Sequence, residues 1–291
     1  MQSLLTILLI AALAATATAQ DKAAYRLYTK DGKPTTYADL LKAAAQTDVV
    51  FFGEEHNNAI AHWLQLELTR DLYKEVGDRL VLGAEMMEAD DQLLINEYFE
   101  GRISNRSFEQ EARLWDNYAT DYKPLLEFAR VQGLDFVATN IPRRYASMVF
   151  RMGKDSLAML SDEARRYIAP LPLEVDLTLP GYAAMLEMGG PGMGGHAGKT
   201  TFPEAQAIKD ATMAHFIATN RGEKGVFLHC NGHYHSDGDE GILWYLRKYA
   251  PGTRTLTLTT RSVSDLDALP EEARNKADFI LLVPESMTKT Y

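Results

Sequence analysis

A single cysteine, Cys230, occurs in 291 residues. No intramolecular disulfide can form even in an oxidising compartment, so stability has to come from packing. Positive charge is also scarce: 30 Lys and Arg stand against 40 Asp and Glu, a formal net charge of −10. That balance disfavours polyanions, and no basic stripe runs along the chain to track nucleic acid. Long apolar runs are missing too. Leu4 to Ala15 is apolar, but a run this short, ending in Thr and Ala, makes a poor membrane-spanning helix. It reads instead as the centre of a secretory signal over residues 1–19, with Ala17-Thr18-Ala19 as small residues for cleavage before Gln20. The basic segment that usually opens such a signal is absent, and no cysteine lies near the cleavage point to carry a lipid. The expectation is an exported protein, periplasmic or secreted, with no stable membrane span and no nucleic-acid partner.

Residues 20–291 are long enough for one large domain with a sizeable core and insertions. Apolar or β-branched runs recur at Val49–Gly53, Leu80–Glu85, Leu134–Thr139, Gly225–His229, Thr253–Thr259 and Phe279–Val283. They are near-continuous rather than alternating, as expected for strands covered on both faces. Helical patterns fall between most of them, at Ala59–Lys74, Tyr122–Gln132, Glu204–Asn220 and Glu240–Tyr249. This order predicts an α/β fold: a mostly parallel central sheet flanked by helices. Asp31-Gly32 marks a hairpin turn ahead of the first of these strands. Residues 87–121 and 143–202 exceed a minimal crossover and read as helical insertions. The second holds the run Met188-Gly189-Gly190-Pro191-Gly192-Met193-Gly194-Gly195-His196-Ala197-Gly198, whose composition predicts a loop. The sequence contains no internal repeat.

The strands end in polar residues. Glu54, Glu55 and His56 close the first, Glu85 the second, Asn140 the third, and Asn231, His233 and His235 the fourth. In a parallel sheet these groups converge on one edge, where α/β proteins build their sites. Two carboxylates and two imidazoles there could bind a metal or form an acid/base pair. Each could equally cap a helix or solvate a loop. Gly232 frees the backbone to turn, and an extended chain points His233 and His235 in opposite directions, so one of them faces the cavity. His62 falls within a helical pattern and reads as a packing residue, and His215 as a structural one. Gln206, Asp210 and Met213 share one helical face at i, i+4 and i+7, which suggests a pocket wall or an interhelical hydrogen bond. Arg143, Arg144 and Tyr145 follow Asn140-Ile141-Pro142, and arginines there could pair with carboxylates of a ligand. Met185, Met188, Met193 and His196 offer soft and imidazole donors suited to haem or copper, or belong to a loop that serves as a lid.

Gly53-Glu54-Glu55-His56, Glu85-Met86, Asn140-Ile141-Pro142-Arg143, Ala205-Gln206 with Lys209-Asp210 and Met213, and Asn231-Gly232-His233 occur in this order and span most of the chain. Together they resemble the ChaN-like haem-binding proteins, in a superfamily with the Tiki metalloproteases and erythromycin esterases. The resemblance implies an α/β sheet with a helical subdomain, a part in haem or iron uptake, haem at a dimer interface and tyrosine as iron ligand. Tyr145 is the candidate for that ligand because it adjoins Arg143 and Arg144, which could hold propionates. Met193 and His196 are further haem candidates.

Two functions follow as expectations. The first is an exported haem-binding protein with haem-transport components as partners and a homodimer as its assembly. The second is a metal-dependent hydrolase of esters or peptides. There Glu54, His56, Glu85 and His233 or His235 are the catalytic set, and Glu54, His56, Glu85 and His235 hold a divalent metal ion. Asn140, Gln206, Asp210, Met213 and Asn231 are expected to wall the pocket. A third reading leaves the acid and histidine set as a hydrogen-bonded network in a scaffold.

Overall fold

The computed structural model describes residues 22–188, 200–222 and 225–291. The signal expected over residues 1–19, and the haem candidates Met193 and His196, lie outside the described residues. Eight strands form one sheet: β1 (Arg26–Thr29), β2 (Pro34–Thr35), β3 (Val49–Glu54), β4 (Leu80–Glu88), β5 (Phe136–Asn140), β6 (Val226–Gly232), β7 (Thr255–Val263) and β8 (Phe279–Pro284). Their spatial order is β2-β1-β8-β7-β3-β6-β4-β5. The six from β8 to β5 run parallel, while β1 pairs antiparallel with β2 and β8. The fold is α/β, as the alternation of runs predicts.

Ten α-helices accompany the sheet among the described residues: α1 (Tyr37–Ala44), α2 (Ala59–Val76), α3 (Gln92–Phe99), α4 (Asn105–Glu111), α5 (Lys123–Gln132), α6 (Arg143–Met152), α7 (Asp162–Arg165), α8 (Pro180–Met188), α9 (Thr201–Asn220) and α10 (Ile242–Tyr249). The termini carry their own signals. Asn58 caps α2, its side-chain oxygen accepting from Ile60 N and Ala61 N at 3.1 Å, and Gly133 ends α5 in the left-handed conformation with φ 68°. Both devices satisfy backbone groups that a helix end leaves open.

Two apolar layers sandwich the sheet, and the strands supply both in alternation. From β3, Val50 and Phe52 enter a core with α1, α2, α3, α4 and α5. Val49 and Phe51 enter a second core with α6, α8, α9 and α10. The same pleat divides β6, where Leu228 and Cys230 join the first core and Phe227 the second. Every residue of β3 and β6 is buried, which is why both runs read as continuously apolar until their last residues. Cys230 is thus a core residue. All six strands outrun their expected ends, most of all β4, which continues through a register shift to Glu88, β6, which runs to Gly232 so that Asn231 lies inside a strand, and β7, which runs to Val263.

Asn58 is fully buried and closes the first turn of the helix that covers β3. Asn58→Ala should lower unfolding stability by about 1 kcal/mol. Urea denaturation would register this as a lower midpoint at unchanged slope.

Candidate functional site

The alternation that builds the two cores also sorts the acids at the strand ends. Glu54 follows Val50 and Phe52 on the pleat and faces the first core; Glu85 follows Val81 on the other face of β4. In the sheet β6 separates the two strands. The carboxylates therefore leave the sheet on opposite faces, and each is met by a different set of helices.

On the first face, Glu54 is 1% exposed. Its Oε1 accepts from His56 Nδ1 at 2.9 Å and from the Tyr122 hydroxyl at 2.7 Å, and its Oε2 accepts from Gln65 Nε2. Gln65 and His62 stand one turn apart on α2. His62 Nδ1 lies 3.0 Å from Gln65 Oε1, and its Nε2 is 3.0 Å from the His56 carbonyl and 3.4 Å from Asp121 Oδ2. A single π-helical turn, Tyr118–Tyr122, brings Asp121 and Tyr122 inward together, a local widening often found at functional sites. Burial alone would raise the Glu54 carboxyl; the charge of His62 and the hydrogen bonds of His56 and Tyr122 outweigh it and hold the group below its ordinary value. The same environment pushes the Tyr122 phenol far up, by burial first and then by the Glu54 charge.

On the second face, Glu85 is 4% exposed. Its Oε2 accepts from Gly232 N at 2.7 Å and its Oε1 from His235 Nε2 at 3.1 Å. His235 Nδ1 donates to Asp210 Oδ1 of α9, and Asp210 Oδ2 accepts from the Tyr182 hydroxyl of α8 at 2.6 Å. An imidazole that donates from both nitrogens carries a positive charge. Burial would lower the His235 imidazole, but the charges of Glu85 and Asp210 prevail and raise it to about 10. Burial likewise works to raise Glu85, yet His235 draws that carboxyl well below its ordinary range. Asp210 is raised, because burial there exceeds the help from His235.

Gly232 is the gap between the two halves. A Cβ added there would stand 2.7 Å from His56 Nε2 and 3.4 Å from Glu85 Oε2. Only a bare backbone lets the imidazole anchored on one face reach over the end of β6 toward the acid on the other. His56 is also the open member of the group, with 34% of its side chain exposed against 0% for Glu54. Trp115 flanks it edge-on, with ring centroids 4.9 Å apart. Glu55 turns away, accepting from Ser262 N at 2.7 Å and pairing with Lys289 at 3.2 Å.

The expected metal set of Glu54, His56, Glu85 and His235 is therefore divided into hydrogen-bonded pairs. Among the described residues no group of three or more His, Cys, Asp or Glu side chains is arranged to hold a metal ion. Of the two candidate histidines, His235 meets Glu85, while His233 pairs with Asp237 at 2.8 Å. The expected pocket wall is largely interior. Gln206 brings its carboxamide within 3.1 Å of His235, and Asn140 donates to the Glu85 carbonyl at 2.9 Å. Met213 and Asn231 depart from that expectation: both are fully buried, Met213 in the second core and Asn231 between His229 and Ser236. A cavity of about 580 Å³ lies at the opposite end of β5, lined by Gln92, Phe99, Leu134, Phe136 and Phe216 among others.

Sequence reasoning missed His62, Gln65, Asn117, Asp121 and Tyr122. His62 is not a bystander in the helix, since it stands 3.6 Å from Glu54 Oε2. The polar pair His62 and Gln65, at i and i+3 in a helix that must cover the sheet, was the available signal.

The haem candidates sit apart from this group, on α6. Tyr145 is half-buried, with the Arg144 guanidinium 4.4 Å above its ring and donating to its hydroxyl at 3.3 Å. Arg144 is not wholly available as an anion clamp, because it pairs with Asp90 at 2.6 Å. Arg143 is exposed, its backbone N held by Glu88 Oε2 at 3.0 Å.

The fold and this polar edge define an α/β protein with strand-end acids and histidines. Residues 40–246 match the family described as haem-binding uptake, Tiki superfamily, ChaN, and the chain belongs to that family. Among solved structures it is similar to ChaN of Campylobacter jejuni, described with cofacial haem binding, at 15% identity and a TM-score of 0.65 over 89% of this chain and 96% of that one. It is also similar to the type III effector HopBA1, at 13% identity and a TM-score of 0.47 over 84% of this chain and 91% of that one. No curated protein matches the sequence.

The fold favours the charged form of His235, so its contribution to stability is complete below the ordinary value of 6.5 and is lost as pH rises toward about 10. Unfolding stability should accordingly fall across that window. Nitrogen-15 NMR at pH 8 should show His235 as imidazolium and His229, lowered to about 4 by burial, as neutral imidazole. A neutral His235 at pH 8 would contradict the assignment.

Proposed function

We propose that this chain is an exported haem-binding protein that holds or passes haem during iron uptake. The observation that carries the reading is membership of the haem-binding uptake family over residues 40–246. Export rests on the composition of residues 1–19. The described donors suit the ligand. Tyr145 offers a phenol oxygen, a recognised axial ligand of haem iron, and Arg144 donates to that oxygen. The Arg143 guanidinium is exposed beside it to meet a propionate. Along the same face of α6, Met148 is half-buried and Met152 is 54% exposed, at three and seven residues from Tyr145. That stripe offers apolar contact to a porphyrin plane. When bound, haem supplies the iron centre that is carried. The cofacial arrangement described for the Campylobacter protein extends to this chain as a homodimer with two such faces opposed, which hands haem to transport components.

Titrating the protein with hemin should give a shifted Soret band saturating at stoichiometric haem. Tyr145→Phe should weaken binding by about tenfold or more, roughly 1.4 kcal/mol. No shift in the unaltered protein removes the haem reading. A normal shift in Tyr145→Phe keeps haem and moves the iron ligand elsewhere.

One observation favours a second reading, hydrolysis. His56 is oriented through Nδ1 by Glu54, while its Nε2 side lies at the Gly232 gap beside Glu85. A carboxylate-held imidazole with one free nitrogen is the usual arrangement of a general base. Burial would lower the His56 imidazole, but the Glu54 hydrogen bond and the charges of Glu85 and Glu54 raise it. The imidazolium formed by taking a proton from an attacking water is thereby favoured. Ester and peptide substrates, assayed with and without added zinc or manganese, would reveal this activity, and His56→Ala should abolish it. Absence of turnover in every condition removes this reading and leaves haem binding untouched.

A further inference from the structure

Beyond β8 the chain doubles back along the segment that follows His56. Glu285 N donates to the Val263 carbonyl at 2.9 Å, and Met287 turns inward against the first core. Lys289 then forms an antiparallel bridge with Asn58. Thr290 donates to the Asn57 carbonyl through its backbone N at 3.0 Å and through its hydroxyl at 3.2 Å. Asn57 Nδ2 reaches the Tyr291 carbonyl at 3.4 Å. Lys289 Nζ lies 3.2 Å from Glu55 Oε2 and 3.2 Å from Ser262 Oγ. Both neighbours of His56, Glu55 and Asn57, are thus tied to the same returning segment.

We infer that residues 285–291 form a strap that fixes the loop carrying His56 and thereby restrains its imidazole. Attachment on the other side is independent. There the His56 carbonyl accepts from Asn117 Nδ2 at 2.7 Å and His62 Nε2 at 3.0 Å, two buried residues, one at the cap of the π-helical turn and one on α2. The strap has no such root. Apart from Met287 it is held by backbone hydrogen bonds, one bridge, the side-chain hydrogen bonds of Thr290, Asn57 and Lys289, and one partly exposed ion pair, and Tyr291 is 66% exposed. A segment held this way opens at a small fraction of the cost of global unfolding, and it can do so without uncovering the core. The Tyr291 phenol lies on the acidic side of the site. It is raised by its partial burial first, then by the charges of Glu54, Asp121 and Asp116. Opening the strap would release Asn57 and remove the Lys289 tie from Glu55, while Glu55 stays on Ser262 N and the His56 carbonyl stays on Asn117 and His62. The strap is a property of the strand-end site and rests on neither functional reading.

Carbethoxylation by diethyl pyrocarbonate, quantified residue by residue with mass spectrometry, tests the inference. Thr290→Pro removes the amide donor to Asn57, and Lys289→Met removes the ion pair to Glu55. Each should raise the rate at His56 by about threefold or more, as expected when a locally stable segment is released, with the rates at His215 and His233 unchanged. In the unaltered protein the Thr290 amide should exchange with deuterium at least about tenfold more slowly than an unprotected amide. Unchanged His56 reactivity in both variants would overturn the strap, and so would an increase shared equally by His215. An unprotected Thr290 amide would do the same without recourse to either variant.

Discussion

Successive side chains of a strand leave opposite faces of the sheet, and this alternation governs what the polar ends of these strands can become. Val49 and Phe51 go one way, Val50 and Phe52 the other. The pattern persists into the residues that follow, so Glu54 and Glu85 are delivered to separate helical layers. A buried carboxylate is costly unless donors surround it, and each layer supplies its own. α2 and the π-helical turn bring Gln65, His62 and Tyr122 to Glu54. For Glu85 the donors are His235 and Gly232 N, with Asp210 of α9 and Tyr182 of α8 completing the chain behind His235. Two networks on opposite faces, touching only at Gly232, result where a single cluster was expected.

Much of this is legible in the amino-acid sequence. All six apolar runs are strands and the helices fall between them, because continuous burial on both faces leaves an unmistakable composition. That Glu54, His56, Glu85, Asn140 and Asn231 share one edge followed from parallel order alone. Facing was harder to read, since it depends on where each strand stops. β4 passes through a register shift and β6 extends to Gly232, so residues counted as loop still obey the pleat. Met213 illustrates the related ambiguity in helices: α9 packs on a sheet and against α6 and α10, so a face marked by Gln206 and Asp210 also carries core residues. Tyr122 and Asp121 could not be placed, because nothing in Tyr118-Ala119-Thr120-Asp121-Tyr122 announces a turn of π-helix.

Gly232 is where the two networks meet, and its importance is negative. A side chain there would occupy the space that His56 Nε2 and Glu85 Oε2 now share. By omitting it, the chain lets the one partly open imidazole sense charges from both faces, Glu54 by a hydrogen bond and Glu85 through space. That dual exposure distinguishes His56 from His235, which is held just as firmly by acids but is sealed from solvent. A buried imidazolium between two acids satisfies its surroundings and does little else. The half-open histidine has a nitrogen to spare.

The surface of α6 that carries Tyr145, Arg143 and Arg144 is connected to this edge through the ends of β4 and β5. Asn140 donates to the Glu85 carbonyl, and Glu88 accepts from Arg143 N and pairs with Arg113. The start of α6 is thereby fixed to the backbone of the strand that bears Glu85. Glu88 is itself partly exposed, so the start of α6 is tied to β4 at the rim of the buried networks rather than within them. The polar edge and the start of α6 are linked by the hydrogen bonds of Asn140 and Glu88, which gives the strand-end residues a structural duty whether or not they also carry chemistry.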